Sequence, residues 1–566
     1  MADPLNPLIV QSDQTVLLEV GSPKAGDARA ALARFAELEK APEHVHTYRI
    51  TPLSLWNAAS AGLAPGDVAA SLTTYAKYPV PELVLSEIHD QMGRYGRIRI
   101  VRDFDTGGLA LTTHQPALLE ELCRDPSLAG LVGERLDGNR YALRLGDRGV
   151  VKQTLIRLGW PAADEAGYSD GEALGVELDC ELRVYQAEAT GAWWADGTAL
   201  GGNGVLVLPC GAGKTVIGIS ALTHVRAHTL IIATSITAAR QWIAELVDKT
   251  DLSPELIGEY TGERKQIRPV TVATYQILTW AEPGSESDAT TLSRYPHLQL
   301  FDRTGWGLVI YDEVHLLPAP VFRATARIQA VRRLGLTATL VREDGKQSDV
   351  FSLIGPKRYD APWKELETQG WIAPAACTEI RIEMDEERRM DYAVAQPSQR
   401  YRIAASAPEK LDVMERLCRR HTEDQVLVIG QYLDQLGEAA DLLEAPLITG
   451  RTSQNVRDEL FSDFRKGRLS TLVVSKVANF AIDLPDATVA IQLSGTFGSR
   501  QEEAQRLGRI LRPKPDGRPA HFYTLVARET VDQSYAMNRQ RFLTEQGYGY
   551  AVIDADELES GIEGVA

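Results

Sequence analysis

Cysteine is scarce in this chain: five in 566 residues, at positions 123, 180, 210, 377 and 418, with no two forming a CxxC pair. That spacing points away from a zinc site and from a disulfide framework. No uninterrupted apolar run reaches the roughly 18 residues of a membrane-spanning helix. Residues Met1–Val10 lack a basic segment followed by an apolar block, so no secretory signal is expected and the cytoplasm is the expected location. Positive charge is also in deficit, with 60 Lys and Arg against 77 Asp and Glu and a net charge of -17. This balance argues against binding nucleic acid by bulk charge. A locally basic track would still suffice for a polyanion, and an acidic exterior keeps a protein in solution. The remainder is ordinary for a globular protein, with 44% hydrophobic and 24% charged residues. At roughly 150 residues per domain, the length suggests about three to four domains.

The first 95 residues contain one strand-like run, Val16–Val20, then a helical pattern over Asp27–Lys40 and further short helices up to Gln91. They hold no catalytic cluster and read as a mainly helical accessory or docking module. Residues 96–162 read as a small α+β unit. Its strands are expected at Ile98–Val101, Leu109–Thr112 and Tyr141–Arg144, and its helices at Pro116–Arg124 and Gly149–Leu158. Between Val132 and Trp160, six basic residues (Arg135, Arg140, Arg144, Arg148, Lys152, Arg157) stand against three acids (Glu134, Asp137, Asp147). Such a stretch is either a phosphate-contacting face or a merely solvated one. Ala162–Gly175, rich in Ala, Gly and acids, reads as a linker. Beyond it, short apolar strands alternate with helices, once over about 180–365 and again over about 400–550. That alternation signals parallel α/β sheets, here as two lobes with a cleft between them.

The most informative segment is Gly204–Thr215, Gly-Val-Leu-Val-Leu-Pro-Cys-Gly-Ala-Gly-Lys-Thr. An apolar strand runs into a glycine loop and then a helix. Backbone N–H groups at Gly211, Ala212 and Gly213 can form an anion nest, and the helix N-terminus adds its dipole. Lys214 would reach the β and γ phosphates of ATP, and the Thr215 hydroxyl would ligate Mg²⁺. The strict phosphate-loop pattern has Gly where this chain has Leu208. Roughly 100 residues later, the apolar run Trp306–Tyr311 ends in Asp312 and Glu313. Asp312 would hold the Mg²⁺ hydration shell, and Glu313 would orient and deprotonate the attacking water. His315 follows on the γ-phosphate side. Leu334–Thr339 reads as a strand ending in Thr337-Ala-Thr339, hydroxyls able to couple nucleotide state to lobe movement. Upstream, Gln186 could read the adenine edge, with Arg183 or Tyr185 stacking nearby. In the second lobe, Gln501–Arg512 reads as a helix whose Gln505, Arg509 and Arg512 share one face. Paired guanidiniums there suit the arginine-finger role on a transferring phosphoryl group.

Taken together, Leu208–Thr215, Asp312–His315, Leu336–Asp344 and Gln505–Arg512 closely resemble XPB-type superfamily 2 DNA helicases. So do Leu353–Lys357, Val474–Val477 with Asp483–Pro485, and Gln540–Tyr548. The resemblance covers roughly 180–555, and the first 95 residues resemble the N-terminal region of bacterial members. In that family the first glycine of the phosphate loop is commonly relaxed. The resemblance implies two RecA-like lobes, residues 176–365 and 366–553, after modules at 1–95 and 96–162. The 96–162 unit occupies the place of a damage-recognition domain, and about 387–404 that of a thumb-like insertion. It also implies that Arg342, Glu343 and Asp344 form an element used in unwinding, and that Asp483 takes part in coupling. DNA, at a single-strand/duplex junction, becomes the expected partner, with 3′–5′ polarity and a role in repair, where a nuclease or repair protein could cooperate. Two alternatives stay open: a duplex translocase that does not separate strands, and an ATP-switched scaffold for a protein partner.

Overall fold

The computed structural model describes residues 3–40, 44–103, 108–168, 170–198, 201–209, 211–281, 295–301, 305–317, 321, 324–325, 331–338, 347–361, 363–475, 487–495, 507, 519–545, 548 and 550–559. The chain divides into two compact units. One contains residues 1–39, 44–207 and 213–360; the other contains 361–566 with 40–43 and 208–212.

The first fifty residues build a four-stranded sheet of Leu8–Val10, Thr15–Glu19, Val45–Arg49 and Glu37–Lys40, in that order. The expected helix over Asp27–Lys40 is shorter, Ala25–Leu32. Glu37-Leu-Glu-Lys40 alternates polar and apolar residues, and with Leu38 buried it takes the edge beside Val45–Arg49. Three helices follow, Pro52–Ser60, Pro65–Tyr75 and Glu82–Arg94, so the module keeps more helix than strand.

The next unit is a five-stranded sheet with the order Val132–Arg135, Arg140–Leu143, Leu109–Thr113, Ile98–Arg102 and Ala163–Asp164. Its helices Pro116–Arg124 and Arg148–Arg157 agree with the sequence pattern within a residue. The segment 162–175, expected as a linker, is part of the fold. Ala163–Asp164 pairs with Ile98–Arg102, and Ala166, Tyr168 and Leu174 are buried. Asp164 also changes the reading of the basic stretch. Arg148 Nη2 lies 2.5 Å and Lys152 Nζ 3.0 Å from its carboxylate, all three side chains buried. These two cations are therefore internal ion-pair partners and not a phosphate-contacting face.

The first parallel sheet has the order Ile257–Tyr260, Val270–Thr274, Thr229–Ala233, Leu308–Asp312, Arg332–Thr337, Asn203–Val207 and Lys357–Asp360. All its pairings are parallel. Central strands such as Thr229–Ala233 are buried along their whole length, as both covered faces of a parallel sheet require. The second unit repeats the architecture with Leu447–Ile448, Thr471–Ser475, Val426–Gly430, Val489–Gln492, Ala520–Ala527, Ala375–Ile382 and Tyr550–Asp554. In its core Lys410 donates to Asp532 at 2.7 Å and to the Leu493 and Leu525 carbonyls. The 387–404 stretch forms parts of two helices, Glu386–Val394 and Pro397–Ala405, with Met390 and Val394 exposed and Tyr401 buried.

His46 gives the N-terminal sheet a defined acid sensitivity. It is 3% exposed, and its Nδ1 makes no hydrogen bond among the described residues. Burial, aided by the Arg29 charge, pushes its pKa down to about 4 from the ordinary 6.5. Between those values the unfolded chain binds a proton that the folded chain refuses. Stability is therefore intact above pH 6.5 and falls as the pH drops toward 4. His46→Leu should remove up to about 3 kcal/mol of that pH-dependent loss, seen as a shallower decline in denaturant midpoint across the window. Parallel pH profiles for parent and variant would show that His46 does not titrate there.

Candidate active site

A parallel sheet carries the C-terminal ends of its strands to one edge. Here three neighbouring strands deliver the chemistry. Asp312 pairs in register with Leu336, and Val207 with Thr337. The Thr337 strand therefore lies between the strand that enters the phosphate loop and the strand that ends in the acids. The loop itself has two left-handed glycines, Gly211 at φ +83 and Gly213 at φ +74. Gly213 is the N-cap of the helix Lys214–Val225. Left-handed glycines at a helix mouth suit an anion nest beside the positive end of the helix dipole. Position 213 also lacks room for a side chain, because a Cβ there would sit 2.5 Å from Gln186 Nε2. Gln186 is itself buried at the start of the helix Val184–Trp194, and its Oε1 accepts the Arg183 backbone N–H at 3.0 Å.

Lys214 reaches across to the acid strand, with Nζ 3.1 Å from Glu313 Oε1. Glu313 has φ +49, a conformation that non-glycine residues adopt at a cost of roughly 1–3 kcal/mol. Lys214 and the Ala338 backbone N–H both bind its carboxylate. Burial works to raise the Glu313 pKa, but Lys214, then His315 and the Ala338 N–H, outweigh it and hold the carboxyl below its ordinary value. His315 is buried, with Nδ1 3.4 Å from Glu313 Oε2 and 2.7 Å from Thr337 Oγ1. A chain of contacts thus runs from the phosphate-loop lysine through Glu313 and His315 to Thr337.

Asp312 is held differently. Burial, followed by the Glu313 charge beside it, pushes its carboxyl up, against the opposing Trp242 hydrogen bond and Lys214 charge. Trp242 Nε1 donates to Asp312 Oδ2 at 3.0 Å, and the Tyr275 hydroxyl donates to the Asp312 carbonyl at 3.0 Å. The sequence pattern marked neither partner. Trp242 falls with Ala239 and Leu246 on the buried stripe of its helix, the ordinary signature of a core residue. No cluster of three or more His, Cys, Asp or Glu able to hold a metal occurs among the described residues. Thr215, in the first turn of the helix Lys214–Val225, and Asp312, at the end of the strand Leu308–Asp312, are oxygen donors of the type Mg²⁺ takes, an ion that usually keeps waters and substrate phosphates beside one or two protein ligands.

The structure brings Gln186, Gly213, Lys214, Asp312, Glu313, His315 and Thr337 into this constellation. Arg183, the N-cap of the Gln186 helix, donates to the Tyr185 hydroxyl at 3.1 Å. Thr339, Arg342, Glu343, Asp344, Asp483, Gln505, Arg509 and Arg512 lie outside the described residues.

Family models match three parts of the chain. The ERCC3/RAD25/XPB C-terminal helicase model matches residues 366–564. The type III restriction enzyme res subunit model matches 179–342, and a helicase conserved C-terminal domain model matches 8–137. The DNA 3′–5′ helicase XPB of Mycobacterium tuberculosis is 57% identical over 555 residues, 98% of each chain. The protein of that name from Kineococcus radiotolerans is 54% identical over 559 residues, again 98% of each. The general transcription and DNA repair factor IIH helicase/translocase subunit XPB of Antonospora locustae is 33% identical over 572 residues, 97% of this chain and 82% of that one. With that identity along nearly its whole length, and a phosphate loop and paired acids on strands that flank a common neighbour, the chain belongs to the XPB helicase family.

Proposed function

We propose that this protein is a 3′–5′ DNA helicase or translocase driven by ATP hydrolysis at the site around Lys214, Asp312 and Glu313. The observation that carries the mechanism is the Lys214–Glu313 pair at 3.1 Å. The γ-phosphate of ATP is a competing anion for that ammonium. As Lys214 turns to the phosphate, Glu313 loses its counter-ion and its basicity rises. It then becomes a base for water when substrate is present. Mg²⁺, held by Thr215 and Asp312, would supply charge neutralisation on the phosphate oxygens. His315 and Thr337 would carry the change at Glu313 onward along the Arg332–Thr337 strand. We assign adenine-side contacts to Gln186 and Arg183, and phosphate contacts to the Gly211, Ala212 and Gly213 backbone. Transition-state charge falls to Arg509 and Arg512 with Gln505, and coupling to Thr339, Arg342, Glu343, Asp344 and Asp483. The site residues lie on domains we place at 1–95, 96–162, 176–365 and 366–553.

DNA as the track is supported by the names of the relatives in two bacteria, both DNA 3′–5′ helicases. The third relative is called a helicase/translocase, and duplex translocation without strand separation is the second reading. A single-strand/duplex junction is the proposed DNA structure, repair the proposed setting, and a nuclease or repair protein the proposed partner. No helix among the described residues is long and apolar enough to cross a membrane, and we place the protein in the cytoplasm.

Steady-state ATP hydrolysis should be low alone and rise strongly with DNA, single-stranded or duplex, more than with RNA. Turnover indifferent to every nucleic acid would move the partner to protein. Glu313→Gln should retain ATP binding and lose turnover; equal turnover in both proteins removes Glu313 from the mechanism. Arg509→Ala should lower kcat by roughly 10³, whereas a change confined to DNA affinity reassigns it to the track. Gly213→Ala should weaken nucleotide binding by about tenfold or more, since strain and the Gln186 clash both act on the loop. Unchanged affinity in a titration would show that the loop absorbs a Cβ.

A further inference from the structure

Three buried tryptophans, Trp56, Trp193 and Trp306, give their indole N–H to the backbone carbonyls of Gln91, Arg333 and Leu300. Trp242 differs from these. It is 2% exposed, and it gives its N–H to Asp312 Oδ2 at 3.0 Å. A buried indole N–H requires an acceptor, and here that acceptor is one of the two carboxylate oxygens at the end of the acid strand.

The surroundings fix the ring. Trp242 sits on the helix Ile236–Lys249, which follows the strand Thr229–Ala233. That strand pairs directly with the strand ending in Asp312. The other side of the ring presses on Gly218 of the phosphate-loop helix, where a Cβ would lie 2.5 Å from the indole. The glycine makes room for an indole in this position. One side chain therefore joins the phosphate-loop helix, its own helix and the acid strand. Tyr275 fixes the Asp312 backbone, and Trp242 fixes its side chain.

We propose that Trp242 is a positioning residue for the metal-side carboxylate: by occupying Oδ2 it sets the rotamer of Asp312 and leaves Oδ1 as the oxygen for the Mg²⁺ hydration shell. This rests on the reading of Asp312 as the Mg²⁺-side residue. Hydrogen bonds to a ligating carboxylate commonly set its orientation, and losing one costs about 10–100-fold in metal affinity or activity.

The test uses the full chain and ADP, titrated calorimetrically with Mg²⁺ and with a chelator in its place. Trp242→Phe keeps a ring against Gly218 and removes the N–H. Its affinity for ADP without Mg²⁺ should stay within about twofold of the parent, and the Mg²⁺-dependent gain should shrink by about tenfold. In an Asp312→Asn background the same substitution should change that gain no further, because its effect passes through the carboxylate. A purely packing role would instead cost affinity equally with and without Mg²⁺, or add to the loss in the Asp312→Asn background; either result overturns the proposal. If Trp242→Phe fails to fold, Gly218→Ala, which keeps the indole and pushes it aside, should show the same selective loss, and an intact Mg²⁺ gain there counts against the proposal. An Asp312→Asn protein with the parent's full Mg²⁺ gain would remove the metal-side reading of Asp312 itself, a result distinct from a normal Trp242→Phe.

Discussion

Parallel strands cannot be joined by a tight turn, so each must return through a crossover and all C-terminal ends meet at one edge. The active site of this protein depends on that constraint. Between the phosphate-loop strand and the acid strand lies a third strand, Arg332–Thr337, and its Thr337 is level with the ends of both. Lys214 and Glu313, nearly a hundred positions apart in the chain, thereby come within hydrogen-bonding reach. The left-handed Gly213 and the left-handed Glu313 are local adjustments to the same edge, one opening space beside Gln186 and the other turning a carboxylate toward Lys214.

At that edge the electrostatics are held in tension. Two adjacent carboxylates, Asp312 and Glu313, share one nearby ammonium, and burial denies them the screening of water. The field splits them: Lys214 keeps Glu313 ionised, while Asp312 bears the repulsion and takes an indole N–H as compensation. In the proposed mechanism, an arriving polyphosphate would draw Lys214 away and so alter the basicity of its former partner. Groups whose environments push their pKa values apart are the usual mark of an acid–base site.

Elsewhere, charge serves packing. Arg148 and Lys152 look in sequence like part of a basic surface, yet both are buried on Asp164. Removing either partner of such a pair leaves a buried charge uncompensated, which is strongly destabilising. Asp164 is supplied by a two-residue strand inside a segment whose composition resembles a linker. Nothing in local composition separates an ion pair sixteen residues apart from a solvated charge, because the distinction is made by the strand pairing that closes the sheet.

The two parallel sheets, the glycine loop and the paired acids were legible because their signals are local. Alternating apolar strands and helices, a glycine loop at a helix start and two acids at a strand end each follow from backbone chemistry within a dozen residues. So did the helices Pro116–Arg124 and Arg148–Arg157. The short edge strand Glu37–Lys40 was not legible, since a four-residue alternation acquires meaning only from the neighbour it pairs with. Trp242 was hidden for the same reason: its spacing declares it buried, and burial does not say which atom receives the N–H. The sequence by itself determined the chemistry available, phosphate loop, acids and hydroxyls, because those depend on residue type and local conformation. Only the tertiary structure decided which strand lies between loop and acids and which side chain holds Asp312, because non-local register brings those groups together.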